Sequence, residues 1–181
     1  MRKIVCALSL TSALILTVVA YAAAPANFGG SWTLDKSKSQ GLSQRVQGAD
    51  SVTWTITQND KEITVEEKVA GGQMAAGGGP GGGGGGGGRG GFGGPRTFKL
   101  DGSEATSDMG RGKVARKANW SSDGKTLELV SKSTFSGQDG NEVTSTSTDK
   151  FSLSADGKIL TVVRHTEGPR GAQDSTLVFT K

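Results

Sequence analysis

The sequence predicts an all-β protein, a single antiparallel up-and-down barrel of about eight to ten strands. Three observations predict it. Apolar residues recur with period two: Val52, Trp54 and Ile56 alternate with Thr53, Thr55 and Thr57, Ile63 and Val65 alternate with Glu62, Thr64 and Glu66, and Leu127 and Leu129 flank Glu128. Successive side chains on a strand point to opposite faces, so these are strands with one dry and one wet face. Turn-forming pairs separate the runs at short intervals: Asn59-Asp60, Asp101-Gly102, Asp123-Gly124, Asp139-Gly140 and Asp156-Gly157. Asp-Gly between alternating runs signals a hairpin. No segment of useful length carries a helical period. A meander of consecutive hairpins closes most simply into a barrel, which removes exposed sheet edges.

Taken in chain order, strands are expected at 30–35, 51–58, 61–69, 96–101, 103–107, 113–121, 126–135, 142–153, 158–166 and 174–180. Residues 36–49 read as a loop with room for a short helical turn. The turns set registers. A two-residue turn at Asp156-Gly157 pairs Leu153 with Leu160, Phe151 with Val162, and Asp149 with Arg164. One at Asp123-Gly124 pairs Trp120 with Leu127, Ala118 with Leu129, and Arg116 with Ser131. The loop 137–141 pairs Phe135 with Val143. All three hairpins place apolar opposite apolar on one face, as a buried face requires. The same registers carry Arg116, Asp149 and Arg164 to that face. An unpaired charge there is costly, so Asp149 is expected to pair with Arg164. Two roles stay open for the three: closing one end of the barrel, or orienting a polar group of a ligand.

The ends and the middle organise the chain. Met1-Arg2-Lys3, the uncharged and mostly apolar run Ile4–Ala20, and Ala20-Tyr21-Ala22 have the form of a secretory signal peptide, with cleavage expected after Ala22. Residues 1–22 are then signal and 23–181 one barrel domain, secreted or periplasmic, with no stable membrane insertion after cleavage. The only cysteine, Cys6, lies in the signal, so the mature chain has no disulfide and no thiolate ligand. Removing Arg2 and Lys3 from the 21 basic residues leaves 19 against 17 acidic ones. So small a surplus makes no case for nucleic acid or an anionic membrane as partner. Residues 71–95 form a glycine-rich insertion, with 17 glycines among the 24 residues from Gly71 to Gly94. Its single Arg89-Gly90-Gly91 is too little charge for RNA, and no strand-loop-helix frame surrounds its glycines for a dinucleotide. It reads as a disordered hairpin connection. Lengthening a loop from four to 24 residues costs only about 1.6 kcal/mol in closure entropy.

Gly30-Ser31-Trp32, within "NFGGSWTLDKSKS", matches the Gly-x-Trp opening of the lipocalins. The stretches "VARKANWSSDGKTLELVSKSTF", "FSLSADGKILTVVRHTEG" and "STLVFTK" complete a chain that resembles lipocalin-like (calycin-type) small secreted bacterial proteins, a mostly uncharacterised group. The resemblance implies that Gly30 begins the first strand and that Trp32 plugs the barrel floor. It also implies that Arg164 takes the place of the late arginine that packs on that tryptophan. A cup-shaped barrel able to hold a small, mostly apolar molecule follows from it.

The residue set argues against enzymatic chemistry. There is one histidine, His165, expected on the wet face with Thr161 and Val163, so His/Cys and His-rich metal sites are excluded and no metal is expected. Gly124-Lys125-Thr126 imitates the end of a phosphate loop but lacks its first glycine, and it lies in a hairpin. Glu62, Glu66, Glu67 and Glu128 read as wet-face carboxylates, which leaves Asp149 as the inward one. The expected function is an exported monomeric barrel without cofactor that binds a small hydrophobic or amphipathic ligand. Its walls are Trp54, Trp120, Leu129, Phe151 and Val162, and Arg116, Asp149 and Arg164 are its polar anchors. The competing expectation is a cell-envelope structural or interaction protein whose barrel is filled and holds no ligand.

Overall fold

The computed structural model describes residues 24–71, 94–110, 112–136 and 141–181. The expected signal peptide and residues 72–93 of the glycine-rich insertion lie outside the described residues. Ten strands form one antiparallel sheet: β1 (Gly30–Leu34), β2 (Ser51–Gln58), β3 (Glu62–Ala70), β4 (Arg96–Lys99), β5 (Ala105–Asp108), β6 (Gly112–Trp120), β7 (Thr126–Ser136), β8 (Glu142–Leu153), β9 (Ile159–Gly168) and β10 (Gly171–Thr180). Among the described residues there is one short helix, α1 (Gln44–Gly48), which follows β1. The order across the sheet is β4-β3-β2-β1-β10-β9-β8-β7-β6-β5. The meander therefore closes where β1 pairs with β10, through Thr33 with Thr180 and Leu34 with Phe179. The edge strands β4 and β5 bound a seam, across which β4 lies beside β6. Among the described residues no ladder pair spans that seam, so the barrel is nearly closed.

The hairpin registers match those the turns imply. Asp149 faces Arg164 and Phe151 faces Val162. Trp120 faces Leu127 and Arg116 faces Ser131, and Phe135 faces Val143. The turns that set two of them are wider than two residues. Gly124 and Gly157 both have φ +66°, but no described non-glycine residue has positive φ. A type I′ turn needs positive φ at both central residues. Ser121 and Ser154 instead receive bonds from Gly124 N and Gly157 N, and their own N–H groups donate to Thr126 and Ile159. Each is a four-residue connection with a left-handed glycine as its third residue, and its strands keep the same pairing with one pair fewer. The sequence S-x-D-G-K builds both. Ser121 Oγ donates to Asp123, and Lys125 N donates to the same carboxylate. Ser154, Asp156 and Lys158 repeat the pattern.

The core fills one end of the barrel. Phe28, Trp32, Leu127, Phe151, Leu160 and Phe179 are among its fully buried side chains. Phe28 stacks on Trp120 at 6.0 Å and meets Phe151 edge-on at 5.7 Å. Trp32 sits on this floor, with its indole N–H donating to the Phe28 carbonyl at 2.8 Å. Arg164 does not pack on Trp32. Its partner Asp149 holds it farther along β9, over Trp54, and the cation over Trp32 is Lys181, 4.8 Å from the ring centroid. The strand beside β1 is β10, not β9, so it is the residue following β10 that reaches Trp32.

At the other end α1 and the loop before it lie over the barrel. Ser43 caps α1 by accepting from Val46 N. The Lys36 ammonium donates to the Ala49 carbonyl, and a bridge between Gln40 and Thr176 pins the loop to β10. Gly41 is required there: its φ is +66°, and a Cβ would stand 2.3 Å from the Asp174 carbonyl oxygen. Gly41→Ala is expected to lift the loop off β10. The melting temperature should fall and amide exchange in 41–48 should quicken. Unchanged exchange would show that the loop is held elsewhere.

Candidate functional site

The ladder registers arrange the inward side chains of β6 to β10 in rungs. On the floor side of the charged groups runs Trp120–Leu127–Phe151–Val162–Leu177. The next is Ala118–Leu129–Asp149–Arg164–Ser175, and above it lies Arg116–Ser131–Ser147–Thr166–Gln173. The interior thus passes from aromatic and aliphatic to charged to hydroxyl-bearing over three rungs.

Asp149, 3% exposed, is the centre of the charged rung. Arg164 grips it with two bonds, Nε to Oδ1 at 2.6 Å and Nη2 to Oδ2 at 2.8 Å. Arg96, from β4 across the barrel, reaches Oδ2 at 3.5 Å, and Ser147 Oγ reaches Oδ1 at 3.3 Å. Burial pushes the Asp149 carboxyl up, but the Arg164 hydrogen bonds and the two positive charges outweigh it and hold the group below the usual carboxylate range. Burial also pulls Arg164 down, and its bonds to Asp149 more than restore it. Arg96 stays below its ordinary value, because burial and repulsion from Arg164 and Arg116 exceed the attraction of Asp149. Both the Arg96 and Arg164 guanidinium carbons lie 5.5 Å from the Trp54 ring centroid. The Trp54 indole N–H donates to Glu67 at 3.0 Å.

Glu67 is therefore an inward residue and not a wet-face one. Ile63, Val65 and Glu67 share one face of β3, and Glu66 takes the outward position. Arg96, not singled out in the sequence, and Glu67, expected on the wet face, are two further interior charges. Each was two residues from a buried apolar neighbour, Phe98 and Val65, and the period-two rule alone would have placed both inside. Arg116 is also inward, but its Nε is buried without a hydrogen-bond partner, and burial lowers its pKa. His165 lies on the outer face between two carboxylates, with Nδ1 2.6 Å from Asp174 and Nε2 3.2 Å from Glu167. Carboxylates only accept, so both contacts are satisfied together by the imidazolium, and these bonds raise the His165 pKa.

Above the charged rung and under α1 lies a cavity of about 510 Å³, within the range of small-molecule sites. Its two sides differ. Leu34, Leu42, Val46 and Val52 line it from β1, the α1 segment and β2. Ser145, Ser147, Thr166, Gln173 and Ser175 line it from β8, β9 and β10. Trp54, Leu177, Phe179, Glu67 and Arg164 also border it, and the exposed Arg45 and Arg170 stand at its rim. Of the residues expected as ligand walls and anchors, Trp54 and Arg164 border this cavity, and Asp149 lies behind Arg164. Trp120, Leu129, Phe151 and Val162 belong to the filled end beneath it. Arg116 is on the hydroxyl rung but away from the cavity, and Gly30 and Trp32 are at the floor. The barrel is thus filled at one end and hollow at the other.

No family model matches the chain, and no curated protein matches it. Among solved structures the chain is similar to the zebrafish ileal bile acid-binding protein in complex with cholic acid. The identity is 13%, with 85% of this chain and 98% of that one covered, at a TM-score of 0.43.

Proposed function

We propose that this protein binds a small amphipathic molecule in the cavity under α1. The observation that carries the reading is the cavity itself: about 510 Å³, roofed by a short helix and walled by both apolar and polar side chains. A filled barrel would have no such space above its ion cluster. The reading needs no catalytic group. The interior carboxylates Asp149 and Glu67 are both engaged, by Arg164 and by the Trp54 indole respectively.

Titration with 1-anilinonaphthalene-8-sulfonate tests it, since Trp54 borders the cavity and its emission should change on filling. Saturable binding is expected. Val46→Trp, on the half-buried face of α1 that roofs the cavity, should weaken it at least tenfold with little change in melting temperature. Absence of saturable binding, or equal binding by Val46→Trp, would contradict the reading.

A further inference from the structure

The two walls of the cavity differ in chemistry, and the difference specifies the ligand. We infer that the cavity takes a compact ring-based molecule with one apolar side and one side of uncharged hydroxyl or amide groups, rather than a fatty acyl chain. The inference rests on the ligand-binding reading above.

The polar wall is continuous. Ser147, Thr166 and Gln173 are direct cross-strand partners on one rung and all three line the cavity. Neighbouring strands lie about 4.8 Å apart, so the rung presents polar atoms at that spacing over about 10 Å of arc. Ser145 and Ser175 extend it above and below within the cavity. Ser145 Oγ and Ser147 Oγ already donate, to the Glu167 carbonyl and to Asp149, so they offer acceptor lone pairs. Thr166, Gln173 and Ser175 have side chains without a hydrogen-bond partner among the described residues. Those three supply both donors and acceptors. An alkyl chain against this wall would strip water from all of them and return no hydrogen bond. The opposite wall is mainly Leu34, Leu42, Val46 and Val52; of its polar side chains, Ser43 already accepts from Val46 N and Arg45 stands exposed at the rim. A ligand polar all round would leave its own groups unpaired there.

The interior also disfavours a charged group at depth. Arg164 has Nε and Nη2 committed to Asp149, and Glu67 accepts from Trp54. An ion entering between them would have to compete with a two-bond ion pair. Formal charge on the cavity side is instead available at the rim, from Arg45, Arg170 and the exposed Asp174.

Three probes separate the possibilities: cortisol, progesterone and dodecanoate. The first two share a ring skeleton and differ in hydroxyls, while dodecanoate offers a carboxylate to the rim and an alkyl chain to the interior. Binding is read by Trp54 emission and by calorimetry. Cortisol is expected to bind at least ~10-fold more tightly than either of the others, as sites that hydrogen-bond a hydroxyl discriminate against its absence. Thr166→Val and Gln173→Leu, made singly, should each erase most of that preference. Both positions are at least partly exposed and make no side-chain hydrogen bond, so the fold is expected to tolerate both changes. Equal binding of cortisol and progesterone, tighter binding of dodecanoate, or a preference unmoved in both variants would overturn the inference and leave the ligand-binding reading standing. Failure of all three probes and of the anilinonaphthalene dye would overturn both.

Discussion

Replacing Asp149 with alanine is expected to destabilise the fold by about 3–5 kcal/mol, the cost of breaking a buried ion pair from one side. The carboxylate is 3% exposed and serves two arginines. Its loss leaves Arg96 and Arg164 facing each other, with Arg116 already near and its Nε unpaired. Guanidinium groups do not shed their protons at ordinary pH, so the charge has no escape by titration. Asp149→Leu combined with Arg164→Met should recover part of the loss, because exchanging a whole buried pair for apolar residues is often neutral. Urea unfolding of the three proteins decides it, and an alanine variant as stable as the parent would refute the ion cluster. The pH dependence has a definite sign. The Asp149 carboxyl has a folded pKa below its ordinary 3.8. Its contribution is therefore complete above that value and lost as pH falls through the lower, folded one. The acid limb of stability between those two values should be flatter in the alanine variant.

Trp54→Ala is the second large effect, about 3–5 kcal/mol by analogy with other aromatic truncations in cores. Trp54 is 1% exposed, meets Phe179 at 4.5 Å and Phe151 at 5.8 Å, and faces Trp32 across the β1–β2 ladder. Truncation would merge the cavity with the packed end and remove the ring that the two arginines approach. Trp54→Phe keeps most of the packing and deletes only the indole donor to Glu67, so about 1–3 kcal/mol is expected for the carboxylate left behind. The same variant should lose the emission change on ligand binding, since Trp32 and Trp120 lie at the filled end. If Trp54→Ala melts like the parent, Trp54 does not support the layer between core and cavity. If Trp54→Phe keeps the ligand response, that response comes from another tryptophan.

Much of this architecture is legible in the residues. Period-two alternation identifies the strands, because a pleated strand exposes and buries side chains in turn. Asp-Gly turns then specify which residues face each other, because a hairpin's register follows from where it turns. That was sufficient for the Asp149–Arg164 pair, even though the turns proved to be four-residue connections with a left-handed glycine as the third residue. The same rule, carried two residues past Val65 and two residues before Phe98, would have found Glu67 and Arg96. The late cation over Trp32 was not legible, because its position depends on β1 meeting the end of β10.

What the sequence determined by itself is therefore the face of each residue and its partner on the next strand. These are local properties, set by the pleat and by short turns. What only the tertiary structure decided is depth. Phe151, Asp149 and Ser147 share one face of one strand, yet one is sealed in the core, one in an ion cluster, and one on the wall of a cavity. Alternation treats them alike. Their separation depends on which side chains arrive from β1, β2, β4 and α1 across the barrel, and barrel closure brings those together from far along the chain.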